Sequence, residues 1–273
     1  MQTLTVYVGQ GELSVVRHRG EAVIVDSRWP EEFCQEIARQ VRAFLRNQRV
    51  RGLVLTGFDN DHADPQGVDY ILENFEPVWI MYPKYYKDTD NASAVFRVIR
   101  KHQMRRKETK GPLYKIPVRL DLQWRKVNNL SRYIAYELFS PHAEDMDSSN
   151  NCSIVLKLTG VGGDGFSYLV TGDTENERWE TIARLFGESL ASDVLSAPHH
   201  GSKNAANPQM ALLVAPDTVL ISAGVSNQYG HPDAEAVKLY ARVAKHVFQT
   251  NIENGVSLLT KRQGSGFLTR CVR

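Results

Sequence analysis

Short apolar runs separated by polar turns make up most of this chain. Three runs near the start, at 4–8, 13–16 and 22–25, predict strands, because glycines break the chain between them. After Pro30, apolar residues recur at spacings of three and four, which predicts a helix. Its apolar face consists of Phe33, Ile37, Val41, Phe44 and Leu45. The chain is therefore predicted to open with antiparallel strands followed by a helix.

Further along, strand patterns alternate with helical patterns, which is typical of an α/β fold. Strands are predicted at 53–56, 78–81, 134–139, 152–158, 166–171, 194–197, 219–222, 247–250, 256–259 and 266–270. Helices are predicted at 65–74, 93–107, 177–186 and 234–244, with another ending near 214. The strands at 152–158 and 166–171 form a predicted hairpin across a glycine-rich loop. Without a repeat or linker, we expect one domain over 1–273, with a basic helical insertion at about 83–132.

The insertion is the most basic part of the chain. Its predicted helix carries Arg97, Arg100, Lys101, Arg105, Arg106 and Lys107, and Lys110, Lys115 and Arg119 follow it. One interpretation is a solvated helix face. The other is an arm that contacts phosphates, since clustered cations displace counterions from a polyanion, with Tyr85, Tyr86 and Tyr114 close enough in sequence to stack on bases.

Composition excludes only a few classes of protein. The chain has 273 residues, of which 42% are hydrophobic and 23% charged, which is ordinary for a globular protein. Its net charge of +2 does not by itself point to any class of partner. It contains no 18-residue apolar window and no signal-peptide pattern at the start, so no membrane partner is expected. Cys34, Cys152 and Cys271 are odd in number and far apart, which predicts free thiols in a reducing, cytoplasmic protein.

Aspartates and histidines fall directly after predicted strands. They are Asp26, Asp59, Asp61, His62, Asp173, His199, His200 and His231. These side chains converge if the strands lie in facing sheets, and carboxylate oxygens with imidazole nitrogens are ligands for divalent metals. For the acidic loop at 59–64 alone, the other interpretation is a surface turn in which Asp64 caps a helix that starts at Pro65.

The motifs together resemble the metallo-β-lactamase fold, and within it the hydrolase domain of ComEC-type DNA-uptake proteins and their free-standing relatives. The resemblance rests on Val8-Gly9-Gln10-Gly11, Val25-Asp26-Ser27, Asp59-Asn60-Asp61-His62, Asn150 to Ser153, Thr171-Gly172-Asp173, His199-His200-Gly201-Ser202 and Asn227 to Pro232. It covers nearly the whole chain. It implies an αββα sandwich, in which two mixed sheets are flanked by helices.

The resemblance also implies a metal-dependent hydrolase that holds one or two divalent ions, zinc or manganese, with magnesium as a further option. The implied ligands are Asp59, Asp61, His62, Asp173 and one of His199 and His200. Gly57 replaces the first histidine of the family motif, so the first metal position lacks a ligand, and His142 and His18 are candidates to complete it. Gln66 and Arg28 replace glycines of the family pattern.

These features predict a phosphodiesterase or nuclease that acts on DNA or RNA. The implied catalytic residues are Asp59, Asp61 and His231. Asp59 is expected to be either a metal ligand or the base that orients the water, and His231 either to protonate the leaving oxygen or to serve as the last ligand. Ser202, Asn227 and Tyr229 are expected either to bind phosphate oxygens or only to cap a helix or close a turn. Arg97, Arg100, Lys101, Arg105 and Arg106 are expected to guide the nucleic acid.

Two alternatives stay open at this stage. Gly57 favours a degenerate, non-catalytic subunit that binds a nucleic acid or a protein partner. The second alternative is an enzyme that hydrolyses a small phosphodiester or a lactone, which the basic segment disfavours only mildly. Metal content separates the first alternative from the hydrolase.

Overall fold

The computed structural model describes residues 1–109, 111–119, 126–142 and 148–272. The strands in chain order are β1 (Gln2–Thr5), β2 (Ser14–His18), β3 (Glu21–Val25), β4 (Arg49–Val54), β5 (Trp79–Pro83), β6 (Tyr114–Val118), β7 (Lys126–Val127), β8 (Ile134–Ser140), β9 (Val155–Gly160), β10 (Ser167–Val170), β11 (Val194–Ser196), β12 (Thr218–Ile221), β13 (His246–Gln249), β14 (Ser257–Gln263) and β15 (Gly266–Val272). The α-helices are α1 (Cys34–Leu45), α2 (Pro65–Asn74), α3 (Asp90–Thr109), α4 (Asn176–Phe186), α5 (Pro208–Val214) and α6 (Ala234–Val243). None of these helices combines the length and hydrophobicity that crossing a membrane requires.

The strands form two mixed sheets. The first has the order β15-β14-β1-β2-β3-β4-β5-β6, and the second has the order β13-β12-β11-β10-β9-β8-β7. In the first sheet β3, β4, β5 and β6 run parallel, and in the second sheet β10, β11, β12 and β13 do so. The remaining neighbours are antiparallel, including the predicted hairpin of β9 and β10.

The packing of β3 shows how the layers arise. Ala22 and Ile24 pack in the cluster that holds α1, α2 and α3, whereas Val23 and Val25 pack against the second sheet. This alternation follows from the period of two along a strand, and it explains why the strand is apolar on both faces. Since α4, α5 and α6 cover the outer face of the second sheet, the architecture is the predicted αββα sandwich.

The segment predicted as a basic helical insertion contains both helix and strand. It includes α3, and it also includes β6 and β7, which lie at the edges of the first and the second sheet. The sequence pattern predicted no strand there, because the run of Lys115, Ile116 and Pro117 is short and has no sustained apolar alternation; in the structure Lys115 and Pro117 are exposed. Lys110 falls outside the described residues.

Candidate metal centre

The carboxyl ends of parallel strands place four ligand side chains together. Asp61 and His62 follow β4, Asp173 follows β10, and His200 follows β11. One ligand atom from each of the four lies within 4.8 Å of the others. His62 Nε2 is 2.8 Å from Asp173 Oδ1, and His200 Nε2 is 3.4 Å from Asp61 Oδ2. The two sheets therefore contribute two ligands each.

Asp26 orients the imidazole of His62. Asp26 Oδ2 lies 2.8 Å from His62 Nδ1, and the carboxylate also accepts hydrogen bonds from the backbone N–H (2.6 Å) and hydroxyl (2.7 Å) of Thr56. A fully buried carboxylate in this position holds the proton on Nδ1. His62 consequently presents Nε2 to the cluster.

His200 is oriented by the backbone in the same way. Its Nδ1 donates to the carbonyl oxygen of Ser222 at 2.9 Å, which leaves Nε2 as the acceptor. Nε2 is buried and has no hydrogen-bond partner among the described residues. Buried polar atoms are nearly always satisfied, so an unpartnered imidazole nitrogen facing two carboxylates fits a metal ligand. Two imidazoles with two carboxylates form a donor set suited to a divalent ion.

Asp173 is fixed by the turn that follows β10. Its backbone N–H donates to Ser153 Oγ at 3.0 Å, which links the turn to the start of β9. Burial alone would raise the pKa of Asp173, but the imidazoles of His62 and His200 hold it well below its usual range. Burial alone would lower the pKa of His62, but the carboxylates of Asp173 and Asp26 raise it well above its usual range. The cluster thus favours cationic charge at its centre.

A cavity of about 520 Å³ opens above the cluster. The described residues that line it are Gln10, Arg28, Asp59, Asn60, Asp61, Asn150, Asp173, His199, His200, Gln228, Tyr229 and His231. Asp59 faces this space but lies outside the four-ligand cluster. Burial, with the nearby carboxylates of Asp61 and Asp173, raises the pKa of Asp59. Asp59 is therefore a better proton acceptor than an ordinary aspartate.

The structure separates the two adjacent histidines. His200 reaches the cluster, whereas His199 lines the cavity wall with its Nδ1 3.5 Å from Glu175 Oε1. Both residues have left-handed backbone conformations, with φ of 49° and 55°. Such conformations are uncommon outside glycine, and they tend to occur at functional sites. The sharp turn explains how consecutive side chains reach different places.

His231 and Tyr229 lie together in the cavity lining, beside His199. Their rings stack with centroids 6.0 Å apart, and Tyr229 is 59% exposed. Burial, with the neighbouring imidazoles of His199 and His200, lowers the pKa of His231. A neutral imidazole and an exposed aromatic ring are suited to bind a substrate group at the rim.

Ser202 and Asn227 serve the turns in which they lie. Ser202 Oγ accepts from the backbone N–H of Asn204 at 3.2 Å. Asn227 donates to the carbonyl oxygens of Gly224 and His231, and its Oδ1 accepts from the backbone N–H of His231 at 3.1 Å. Neither side chain belongs to the cavity lining that the described residues form. Of the two interpretations weighed for them, the contacts favour turn closure.

The predicted phosphate-binding cations of α3 lie along that helix and outside the described lining of the cavity. Asn91 ties the start of α3 to the acidic loop through the carbonyls of Phe58 and Ala63. Arg105 lies fourteen residues further along the helix, about 21 Å away at 1.5 Å per residue. Lys101 pairs with Asp69 at 3.0 Å, and Arg105 with Glu73 at 2.6 Å.

The other three predicted phosphate contacts on α3 differ in exposure. Arg106 is buried and donates to the carbonyl of Pro77 at 2.6 Å. Arg97 and Arg100 are exposed and make no ion pair within the part of the chain that the structure describes. Lys101 and Arg105 are exposed as well but are paired with carboxylates, so Arg97 and Arg100 have the least offset charge for contact with a polyanion.

Gly57 leaves space where a side chain would stand. A Cβ at Gly57 would have one neighbour within 4 Å, Ser153 Oγ at 3.9 Å. His18 instead contacts the carbonyl of Val161 at 2.9 Å and lines a different cavity. The ring of His142 packs 6.4 Å from that of Phe186. Neither histidine joins the ligand cluster among the residues described.

Several residues of the site had no assigned role from the sequence. Arg28, Gln10 and Asn150 line the cavity, and Glu175 contacts His199. The strand-end position of Asp26 was visible in the sequence, but its contact with His62 depends on the parallel pairing of β3 with β4. No sequence signal identifies the backbone carbonyl of Ser222 as the partner of His200.

Comparison with known proteins supports the fold and the branch. No family model matches the chain. The chain is 30% identical over 266 residues to ComE operon protein 3 of Bacillus subtilis (strain 168), a match that covers 91% of this chain and 31% of that protein. It is 33% identical over 105 residues to competence protein ComA of Neisseria gonorrhoeae, covering 38% of this chain and 15% of that protein. The chain thus spans less than a third of either relative.

Two solved structures share the fold at low identity. One is Igni18, described as a novel metallo hydrolase from Ignicoccus hospitalis, with a TM-score of 0.57 and 14% identity, covering 96% of this chain and all of that chain. The other is the metallo-β-lactamase fold protein YhfI from Bacillus subtilis, with a TM-score of 0.52 and 10% identity, covering 94% and 99% of the two chains. The chain therefore has the metallo-β-lactamase fold. Within this fold, the similarity to ComE operon protein 3 supports the ComEC-type branch, as the sequence motifs predicted.

Proposed function

We propose that the protein is a metal-dependent phosphodiesterase that cleaves nucleic acid. The observation that carries this proposal is the oriented cluster of Asp61, His62, Asp173 and His200 beneath an open cavity. The resemblance to ComEC-type DNA-uptake proteins favours a nucleic acid over other phosphodiesters, and leaves DNA and RNA as the substrates to compare.

The four clustered residues would hold one ion. Two imidazole ligands favour zinc or manganese over magnesium, which prefers oxygen ligands. A bound divalent ion supplies Lewis acidity, which lowers the pKa of water and offsets charge on a phosphate oxygen. Gly57 carries no ligand for a second ion, so we infer a stoichiometry of one.

The remaining cavity residues position the substrate and the proton. The raised pKa of Asp59 suits its carboxylate to orient the attacking water and accept a proton from it. His231, as a neutral imidazole, is placed to bind a phosphate oxygen or the leaving oxygen. Tyr229 offers an exposed ring on which a base can stack.

The non-catalytic alternative rests on Gly57. Gly57 lies outside the four-ligand cluster, and the cluster already has the two imidazoles and two carboxylates that a single ion needs. Loss of the first histidine therefore does not remove the proposed centre. We accordingly favour the hydrolase.

The test combines metal content with cleavage. Protein purified without a metal-affinity tag is expected to hold about one zinc or manganese ion per chain by elemental mass spectrometry. It is expected to cleave DNA or RNA, single- or double-stranded, in one of Mn²⁺, Zn²⁺ and Mg²⁺. Replacing a ligand, by Asp61→Asn or Asp173→Asn, should lower the rate about 100-fold or more.

Asp217→Asn is the matched control, because Asp217 pairs with Lys245 and lies outside the cavity lining formed by the described residues. This variant should cleave like the unmodified protein. A metal-loaded protein that leaves every nucleic acid intact would overturn the proposal, and cleavage of a lactone instead would replace it.

A further inference from the structure

Arg28 lines the cavity on the side formed by the loop after β3. Its backbone N–H donates to the carbonyl of Glu12 at 3.2 Å, which joins this loop to the turn before β2. A Cβ at Gly11 would lie 2.6 Å from Arg28 Cγ and 2.6 Å from the backbone oxygen of Asp61. Gly11 also has φ of +139°, which side chains rarely adopt. Gly11 thus leaves a channel in which the stem of Arg28 lies beside the acidic loop.

The guanidinium of Arg28 is anchored at one nitrogen. Nη1 is 3.2 Å from Asp64 Oδ2, and the same carboxylate accepts from the backbone N–H groups of Trp29 and Gln66. Arg28 Nε is buried and has no hydrogen-bond partner among the described residues. A guanidinium has five N–H donors, so this anchor leaves donors for a ligand in the cavity.

The cavity has an excess of negative charge, which the cation of Arg28 partly offsets. Three carboxylates face the space, those of Asp59, Asp61 and Asp173. One divalent ion offsets two of these charges, so a phosphodiester anion would still meet a net negative site. Among the described lining residues, Arg28 is the only lysine or arginine.

We propose that Arg28 binds a non-bridging oxygen of the substrate phosphate and makes the site selective for anionic phosphate esters over neutral esters. This inference rests on the proposed function for its substrate class. Arg28 acts through a charge-assisted hydrogen bond, and Asp64 holds it in the geometry for that bond.

Binding of inorganic phosphate to the metal-loaded protein tests Arg28 without relying on turnover. Arg28→Gln should weaken phosphate binding about tenfold or more by titration calorimetry, since a hydrogen bond to a charged group is lost. Arg28→Lys should recover part of the affinity, because it restores the charge without the planar fork. Arg39→Gln is the control, because Arg39 pairs with Glu36 on the surface of α1.

Turnover of an anionic and a neutral ester measures the selectivity that we assign to Arg28. With bis(4-nitrophenyl) phosphate, Arg28→Gln should raise KM, whereas hydrolysis of neutral 4-nitrophenyl acetate should change less. Equal loss on both esters, at unchanged metal content, would overturn the selectivity. Unchanged phosphate affinity in Arg28→Gln would overturn the inference as a whole.

The two proposals fail in different ways. Phosphate binding that depends on Arg28, in a protein that cleaves no phosphodiester, would support the anion site and count against the proposed function. Should Arg28→Gln not fold, modification of the unmodified protein with phenylglyoxal decides the matter. Phosphate should then protect Arg28 and leave Arg39 reactive, and equal labelling of Arg28 with and without phosphate would overturn the inference.

Discussion

At the scale of single residues, the site depends on groups that hold its ligands in place. Asp26 contacts His62 Nδ1, and Thr56 fixes both oxygens of Asp26. His200 depends instead on the carbonyl of Ser222. Each imidazole ring is thus held in one orientation before any ion binds, which reduces the ordering that binding requires.

Asp26→Asn should weaken metal binding. The substitution keeps the size of the side chain but removes the charge that holds the proton on His62 Nδ1, and loss of such a partner lowers metal affinity about 10- to 100-fold. Competition with a fluorescent chelator measures the change. Asp164→Asn is the control, because Asp164 is 70% exposed and lies beside the N-terminus. Affinity within about twofold of the unmodified protein would show that Asp26 does not act through His62.

Residues of the site differ in how far the sequence could identify them. Asp61, His62 and Asp173 were predictable because each follows an apolar strand, and strand ends meet at one edge of the sandwich. Which of His199 and His200 joins the cluster was not predictable, since two successive left-handed residues decide it. The turn contacts of Ser202 and Asn227 likewise depend on backbone geometry that no spacing shows.

At the scale of elements, α3 shows why a run of basic residues is a weak predictor of a binding surface. The helix packs against α2, whose Asp69 and Glu73 lie four residues apart and so share one face. Lys101 and Arg105 meet these two carboxylates, and Arg106 turns inward. The charge of the run is consequently smaller at the surface than the sequence suggests.

Different parts of α3 should therefore contribute differently to nucleic-acid binding. The double variant Arg97→Ala/Arg100→Ala should weaken binding and reduce the slope of log affinity against log salt by about 1–2, as two phosphate contacts are lost. Lys101→Ala/Arg105→Ala should change the slope less, because Asp69 and Glu73 already offset those charges. Fluorescence anisotropy at several salt concentrations measures both slopes. Equal slopes for the two double variants would contradict this assignment.

At the scale of the whole molecule, the sandwich was predictable but its edges were not. Apolar runs such as β3, buried on both faces, indicate strands between two layers, and the motif order matched a known fold. The edge strands β6 and β7 come from the part of the sequence at 83–132, where apolar periodicity is weak. They form because β5 and β8 offer unpaired backbone groups at the sheet edges.

The proposed ion would connect the two sheets. Asp61 and His62 follow β4 of the first sheet, whereas Asp173 and His200 follow strands of the second sheet. An ion that binds all four holds the sheets together, and it binds the folded chain but not the unfolded one. Its binding free energy therefore adds to the free energy of unfolding.

Removal of metal should lower the Tm of the protein. At a metal concentration about 100 times Kd, the ion adds about 2.7 kcal/mol, which corresponds to about 5–10 °C in a chain of this size. Differential scanning calorimetry with added metal and with a chelator measures the difference. Asp173→Ala should abolish the difference because it removes one of the four ligands, whereas Asp164→Asn should retain it. An unmodified protein whose Tm is the same under both conditions would show that no ion links the sheets, and the proposed centre would then lack its metal.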